Sequence, residues 1–303
     1  MLTLASLSRA ELGARLARPG LRLQTGRFVT RVSSPIAGVA DGIALLYPDY
    51  PLLEQDGFAD FYVHFTRSGG LRRWFRPQVN FDYDGVTPFD PLPCHHAQPM
   101  FEWVLNWCVT TRAHQYLMLH AAVIERNGVA AILPAPPGSG KSTLCAALVT
   151  RGWRLLSDEV ALVRLDSGEL EPLPRPVSLK NASIALMRAY APQATFSVPV
   201  LDTAKGAVAH MKAPADSVRR ADETARPAWI VFPRYVAGAA AQLAAVAPAR
   251  AAMRVAENSF NYSLLAATGF GALARLIDAT ACYDFTYSAL DDAIGVFDAL
   301  SAS

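Results

Sequence analysis

The chain has 303 residues, 52% hydrophobic and only 18% charged, and its 28 Lys and Arg against 26 Asp and Glu leave a formal net charge of +2. That balance excludes a disordered chain and gives no electrostatic footprint for nucleic acid or for an anionic membrane surface. Cys94, Cys108, Cys145 and Cys282 lie far apart with no CxxC pair, so they read as reduced thiols of a cytoplasmic protein rather than a disulfide framework or zinc site.

Near the N-terminus Ser8-Arg9-Ala10-Glu11 has the pattern of a capping box opening a short helix, with Leu12 and Leu16 on one face. The charges at Arg9, Glu11 and Arg15 interrupt any signal-peptide core. From Gly20 to about Gly85 the pattern is strand-like. Phe61, Val63 and Phe65 alternate with Tyr62, His64 and Thr66, and Arg73-Trp74-Phe75-Arg76 and Val79-Asn80-Phe81-Asp82-Tyr83 continue in the same style. Residues 1–95 are read as an antiparallel, strand-rich N-terminal module, closed by the proline-rich stretch 88–99.

Phe101, Val104, Leu105, Cys108 and Val109 recur at three- and four-residue steps, which predicts one buried face of a helix over about 98–113. Residues 116–124 read as one strand, and Asn127-Gly128 before the apolar run 129–133 is a strong hairpin signal. A helix over 142–151, strands at 153–157, 160–165, 229–232 and 243–246, and a helix starting at Pro248 complete the pass. The nearest approach to a membrane span, residues 236–253, is broken by Gln242, Pro248 and Arg250. The fold class is α/β, α+β overall: the N-terminal module followed by a P-loop-type nucleotide-binding core over 96–303.

The strongest chemical signal is Ala135-Pro136-Pro137-Gly138-Ser139-Gly140-Lys141-Ser142-Thr143, placed after an apolar strand and at the start of a helix. Gly138 and Gly140 let the backbone approach phosphates and aim N–H groups at them, and the helix N-terminus adds partial positive charge. On this reading Pro137, Gly138, Ser139, Gly140, Lys141, Ser142 and Thr143 bind the nucleotide. Lys141 holds the β- and γ-phosphates, and Ser142 ligates Mg²⁺. Ala135 stands where the strict motif has its first glycine. Asp158-Glu159 begins 17 residues after Lys141, at the end of the next strand. A carboxylate there can hold Mg²⁺ or accept a proton from an attacking hydroxyl. His120, 21 residues before Lys141, reads either as a core histidine of its strand or as a group near the γ-phosphate.

The segments Leu119-His120-Ala121-Ala122-Val123, Gly138-Ser139-Gly140-Lys141-Ser142 and Arg151-Gly152-Trp153-Arg154-Leu155-Leu156-Ser157-Asp158-Glu159 together resemble HPr kinase/phosphorylase, most of all its HPr-kinase-related group. The specific resemblance covers about 116–165. It implies a core related to phosphoenolpyruvate carboxykinase, with ATP and Mg²⁺ as cofactors and phosphorylation of a serine hydroxyl. Carried over by position, Lys141 and Ser142 serve nucleotide and metal, Asp158 is the general base, Glu159 the companion acid and His120 the supporting histidine. The metal positions are Ser142, Asp158 and Glu159. Three departures mark this chain: Ala121 where the family has glycine, Glu159 where it has aspartate, and no downstream Glu-Ile-Arg-Gly, for which Glu169, Glu171 or Arg175 are the nearest substitutes.

The expected function is an ATP- and Mg-dependent kinase acting on a hydroxyl of a peptide or small carrier protein, with a small metabolite as a variant and the oligomeric state open. The alternative is a nucleotide-binding switch or scaffold with slow ATPase activity. The mixed-charge stretch holding Lys205, Lys212, Arg219, Arg220 and Arg226 reads as a mobile surface loop or as a lid bringing a cation to the phosphoryl group, and Arg234 is a second candidate cation. Cys94-His95-His96 reads as a loop rather than a metal site, because adjacent side chains there diverge.

Overall fold

The computed structural model describes residues 2–70, 72–136 and 138–302. Its fold is mixed α/β with several sheets. The capping box closes as the sequence indicates. Ser8 Oγ accepts from the Glu11 N–H at 3.2 Å, and the Glu11 carboxylate accepts from the Ser8 N–H at 2.8 Å. Helix α1 (Arg9–Ala17) then buries Leu12 and Leu16.

Strands β1 (Leu21–Thr25), β2 (Phe28–Ser33), β3 (Phe61–Arg67), β4 (Gln78–Tyr83) and β5 (Leu92–Pro93) form one sheet in that order. Alternation holds along β3, which buries Phe61, Val63 and Phe65. The sheet is not wholly antiparallel as expected, because β2 and β3 pair in parallel. A parallel pair needs a crossover, and helix α2 (Ala37–Leu46) supplies it. Val39, Ala40, Ile43 and Leu46 make its buried stripe, a helical period inside a stretch read as strand. Residues 72–75 form the short helix α3 (Arg72–Phe75) rather than a strand, and leave Trp74 and Phe75 exposed. Helix α4 (Ala97–Arg112) buries the five predicted residues. Phe101 meets Phe65 edge-on at 6.1 Å between ring centres, so one apolar cluster runs from this sheet through α4 onward.

Beyond α4 come β6 (Tyr116–Leu119), β7 (Ala121–Arg126), β8 (Val129–Pro134), α5 (Lys141–Thr150), β9 (Arg154–Ser157), β10 (Ala161–Arg164) and β11 (Leu170–Glu171). They are followed by β12 (Val177–Lys180), α6 (Ala182–Tyr190), β13 (Val200–Thr203), β14 (Gly206–Met211), α7 (Ala215–Arg219) and β15 (Arg226–Tyr235). The chain ends with β16 (Gln242–Ala245), α8 (Pro248–Glu257), α9 (Tyr262–Asp278), β17 (Ala281–Tyr287) and α10 (Leu290–Ala302).

The expected strand over 116–124 is in fact two. β6 joins β10 and β11, whereas β7 joins the six-stranded sheet β16-β17-β15-β8-β7-β9. The chain changes sheets at His120. Asn127 and Gly128 take φ of +56° and +82°, so Arg126 pairs directly with Val129 across a two-residue hairpin. β7 is antiparallel to both β8 and β9. The C-terminal ends of β8 and β9 therefore lie at the same sheet edge as the N-terminal end of β7. No helix among the described residues is long and apolar enough to cross a membrane.

Candidate active site

Three short segments meet at that edge. The glycine loop leaves β8, the acidic pair leaves β9, and His120 precedes β7. Gly138 and Gly140 take φ of +86° and +91°, a region open to glycine and costly to other residues. A Cβ at Gly140 would come within 2.5 Å of the Tyr287 hydroxyl. That hydroxyl donates to the Gly140 carbonyl at 3.1 Å, and the Tyr235 N–H donates to the Ser139 carbonyl at 3.0 Å. The loop is thus held by β15 and β17, the parallel strands beside β8. Ala135 is buried and its φ is not positive, so a side chain fits where the strict motif has glycine. Pro137 lies outside the described residues. Gly140 at the N-cap has no side chain to bond the first turn of α5, and the Lys141 N–H donates to Ser139 Oγ at 3.4 Å; the remaining first-turn N–H groups have no intrahelical acceptor. Cys145, one turn into α5, is fully buried, and burial pushes its thiol pKa up.

Lys141 is 7% exposed. Its Nζ donates to the Asp158 carbonyl at 3.1 Å and lies 3.4 Å from His120 Nε2. His120 Nε2 is also 3.3 Å from Glu159 Oε2. One ring nitrogen therefore stands between a cation and an anion, and its proton decides which it bonds. His120 is half-buried and stacks edge-on against Phe260. It belongs to the rim of the site, not to the core of a continuous strand.

The two carboxylates have different surroundings. Asp158 is 4% exposed. Its Oδ2 accepts from the Ser178 N–H at 2.9 Å, while Oδ1 is buried with no hydrogen-bond partner. The Ser142 hydroxyl approaches this carboxylate without closing a hydrogen bond to Oδ1. Burial pushes the Asp158 pKa above its ordinary value; Lys141 opposes the shift and Glu159 reinforces it. Burial pulls Glu159 the same way. There the His120 hydrogen bond and the charges of Lys141 and Lys180 outweigh it, and hold the carboxyl well below the usual range. Lys180 Nζ lies 3.7 Å from Glu159 Oε1. Adjacent acids with oppositely moved pKa values are suited to separate acid and base roles.

Behind Asp158 is a small cavity of about 40 Å³, lined by Trp103, Asn106, Arg175, Ser178, Lys205 and His210 among others. Arg175 is neutralised there by Glu102, with Nη2 3.0 Å from Oε2, and it also donates to Asn106 at 2.8 Å. Tyr47 donates to the same Glu102 carboxylate at 2.8 Å. Of the three substitutes for the missing downstream motif, only Arg175 reaches the site. Glu171 pairs with Arg27 and Arg164, and Glu169 accepts from Thr224 and pairs with Arg164.

The mixed-charge stretch is part loop and part regular structure: Lys205, Lys212 and Arg220 lie in turns or coil, Arg219 ends α7 and Arg226 begins β15. Lys212 is paired with Asp49, Arg219 with Asp216 and Arg220 with Glu223. Arg226 borders a groove elsewhere, near Arg275, and Arg234 is exposed at the end of β15. Only Lys205 of the five cations in that stretch lines the cavity at the acidic pair. Sequence reading missed Lys180, Ser178 and Glu102. Lys180 carried one local signal, the short strand at 177–180 that returns toward the pair.

Over residues 97–204 the chain matches the family model described as SynChlorMet cassette protein ScmC. That span holds His120, the glycine loop, Asp158, Glu159 and Lys180, and stops one residue before Lys205. No curated protein matches the chain. Among solved structures it is distantly similar to the Hpr(Ser) kinase/phosphatase from Coxiella burnetii. The identity is 10% over 61% of this chain and 94% of that one, with a TM-score of 0.26.

Proposed function

We propose that this chain is an ATP- and magnesium-dependent kinase that transfers the γ-phosphate to a serine-type hydroxyl on a peptide or small carrier protein in the cytoplasm. The observation that carries the reading is the buried Asp158 Oδ1 without a hydrogen-bond partner, in a carboxylate that the Ser142 side chain approaches. A buried carboxylate oxygen without a partner is costly, and a hard cation or an incoming hydroxyl proton would satisfy it. No three His, Cys, Asp or Glu side chains converge among the described residues. Magnesium fits this site nonetheless, because it is commonly held by one or two carboxylates together with phosphate oxygens and water. Ser142, Asp158 and Glu159 would hold it, and it would supply charge neutralisation at the β- and γ-oxygens.

The chain's own groups do the rest. Loop N–H groups and Lys141 hold the phosphates. Asp158, with its raised pKa, takes the proton of the acceptor hydroxyl as its oxygen attacks the γ-phosphorus in line. The bond from that phosphorus to the β–γ bridging oxygen breaks, and its electron pair leaves with ADP. His120 and Lys180 keep Glu159 ionised beside it. Positioning and charge neutralisation supply most of the acceleration in such a reaction.

The test is mass spectrometry of the peptides and small carrier proteins encoded beside the gene, incubated with the protein, ATP and Mg²⁺. A phosphate mass gain that disappears in Asp158→Asn supports the kinase. Nucleotide-dependent partner binding that survives Asp158→Asn, with no mass gain, supports the switch instead.

A further inference from the structure

Three ammonium groups surround the acidic pair. Among the described residues Lys141 Nζ hydrogen-bonds the Asp158 carbonyl and lies 3.4 Å from His120 Nε2, Lys180 is 3.7 Å from Glu159, and Lys205 stands at the cavity mouth with Nζ 5.4 Å from the centre of the Trp103 ring. The other charges lining the cavity, Glu102 and Arg175, cancel each other. Even with both carboxylates ionised, three cations face two anions. A further anion bound between them would balance that count.

The two outer lysines are deliberately placed. Lys180 ends β12 and Lys205 occupies the turn from β13 to β14, with Lys180 paired to Val208 across the β12–β14 ladder. Asn181, the next residue, takes φ +53° and ψ −126°, a strained conformation for a residue other than glycine. The strain ties the strand to the turn. Asn181 Oδ1 accepts from the Ala207 N–H at 3.1 Å, its own N–H donates to the Ala207 carbonyl at 2.9 Å, and Gly206 leaves no room for a Cβ beside it. Thr203 Oγ1 braces the turn from inside, donating to the Gly206 carbonyl at 2.6 Å and accepting from the Lys205 N–H at 3.1 Å. Lys205 is solvent-exposed and lines the same cavity as Asp158 and Glu159.

We propose that Lys180 and Lys205 form a second cationic clamp that binds the terminal phosphate of the nucleotide, facing Lys141 across Glu159. This rests on the kinase reading and extends it. Lys141 alone would hold the β- and γ-phosphates in the ground state; the outer pair would add charge where the transferring group moves toward Asp158. Asn181 is a positioning residue for both lysines.

Calorimetric titration of the full chain with Mg–ADP and with Mg–adenylyl imidodiphosphate tests the clamp. Lys205→Met should weaken the triphosphate analogue about ten-fold, the size of one lost charge-assisted contact, and leave Mg–ADP within about two-fold; Lys180→Met should weaken the triphosphate analogue by at least as much, with a smaller loss for Mg–ADP that passes through Glu159. Lys205→Arg should recover most of the loss. Asn181→Ala should give a smaller loss with the same selectivity. An unchanged ratio of the two affinities in the double variant, or an equal loss for both nucleotides, overturns the clamp while the kinase reading stands. Failure of the unaltered protein to bind either nucleotide removes the kinase reading, and the clamp with it.

Discussion

The N-terminal five-stranded sheet and the edge of the six-stranded sheet are built from opposite materials. In the first, the buried face is Val63, Phe65, Val79 and Phe81, packed on Phe101 and Trp107, and the polar side chains of β3 alternate outward. At the second, the chain buries Lys141, Asp158, Glu102, Arg175 and His210 within a few side-chain lengths of one another. Transfer of apolar area stabilises the one, and desolvation destabilises the other unless every charge finds a partner. Asp158 Oδ1 does not find one. The difference teaches where to look for function: the first sheet is held by aromatic packing, whereas the second edge gathers buried charges around a carboxylate oxygen with no hydrogen-bond partner.

That contrast can be broken by substitution. The largest effect belongs to Asp158→Asn, which keeps shape but removes the base. Phosphoryl transfer should fall about 10²–10⁴-fold with the melting temperature unchanged or raised, since the buried carboxylate is no longer desolvated. A rate assay beside a thermal scan checks it, and a transfer rate within two-fold of the unaltered protein would remove Asp158 from the mechanism. Phe81→Ala should do the reverse. It should cost about 3–5 kcal/mol in denaturant unfolding, while the fraction still folded binds nucleotide normally. A nucleotide affinity that falls along with stability would mean that the two regions are not separable.

Smaller effects sharpen the picture. Ser8→Ala removes half of the capping box and should cost about 1 kcal/mol, read by the same denaturant curve, with no change at the sheet edge. The smallest concerns His210, whose pKa burial lowers and whose Nδ1 lies 3.1 Å from Gln98 Nε2. Unfolded chains bind a proton here near pH 6.5 and the folded chain resists it. Its share of stability is therefore present above about pH 6.5 and is lost as pH falls through the lower folded value. Stability measured against pH should fall less steeply toward acid in His210→Gln than in the unaltered protein, and parallel curves would show that the imidazole titrates alike in both states.

Local sequence made much of the site readable and little of its surroundings. The glycine loop, the Asn127-Gly128 hairpin and the Ser8 capping box depend on residues within a few positions of one another: the first two on positive φ that Gly and Asn accept, the third on the reciprocal hydrogen bonds of Ser8 and Glu11. Helix α2 was hidden because its stripe of Val39, Ala40, Ile43 and Leu46 sits among strands whose apolar residues are as frequent. The break at His120 was hidden for a different reason: Tyr116 to Ile124 is apolar on both sides of it, and nothing local says that the two halves join different sheets. Lys205 and Arg175 were legible as candidates, each among several, but which of them reaches the acidic pair was not, and Lys180 was not singled out at all, since only long-range pairing of β12 with β14 and of Arg175 with α4 brings them there.

The most direct test is the affinity of the purified protein for ATP, measured by calorimetry with and without Mg²⁺ and repeated for Lys141→Met. If one strand edge holds a triphosphate between the glycine loop and the acidic pair, binding should be strengthened by Mg²⁺ and should weaken at least about ten-fold without the lysine charge. Affinity that is absent, or indifferent to both the metal and Lys141, would contradict it.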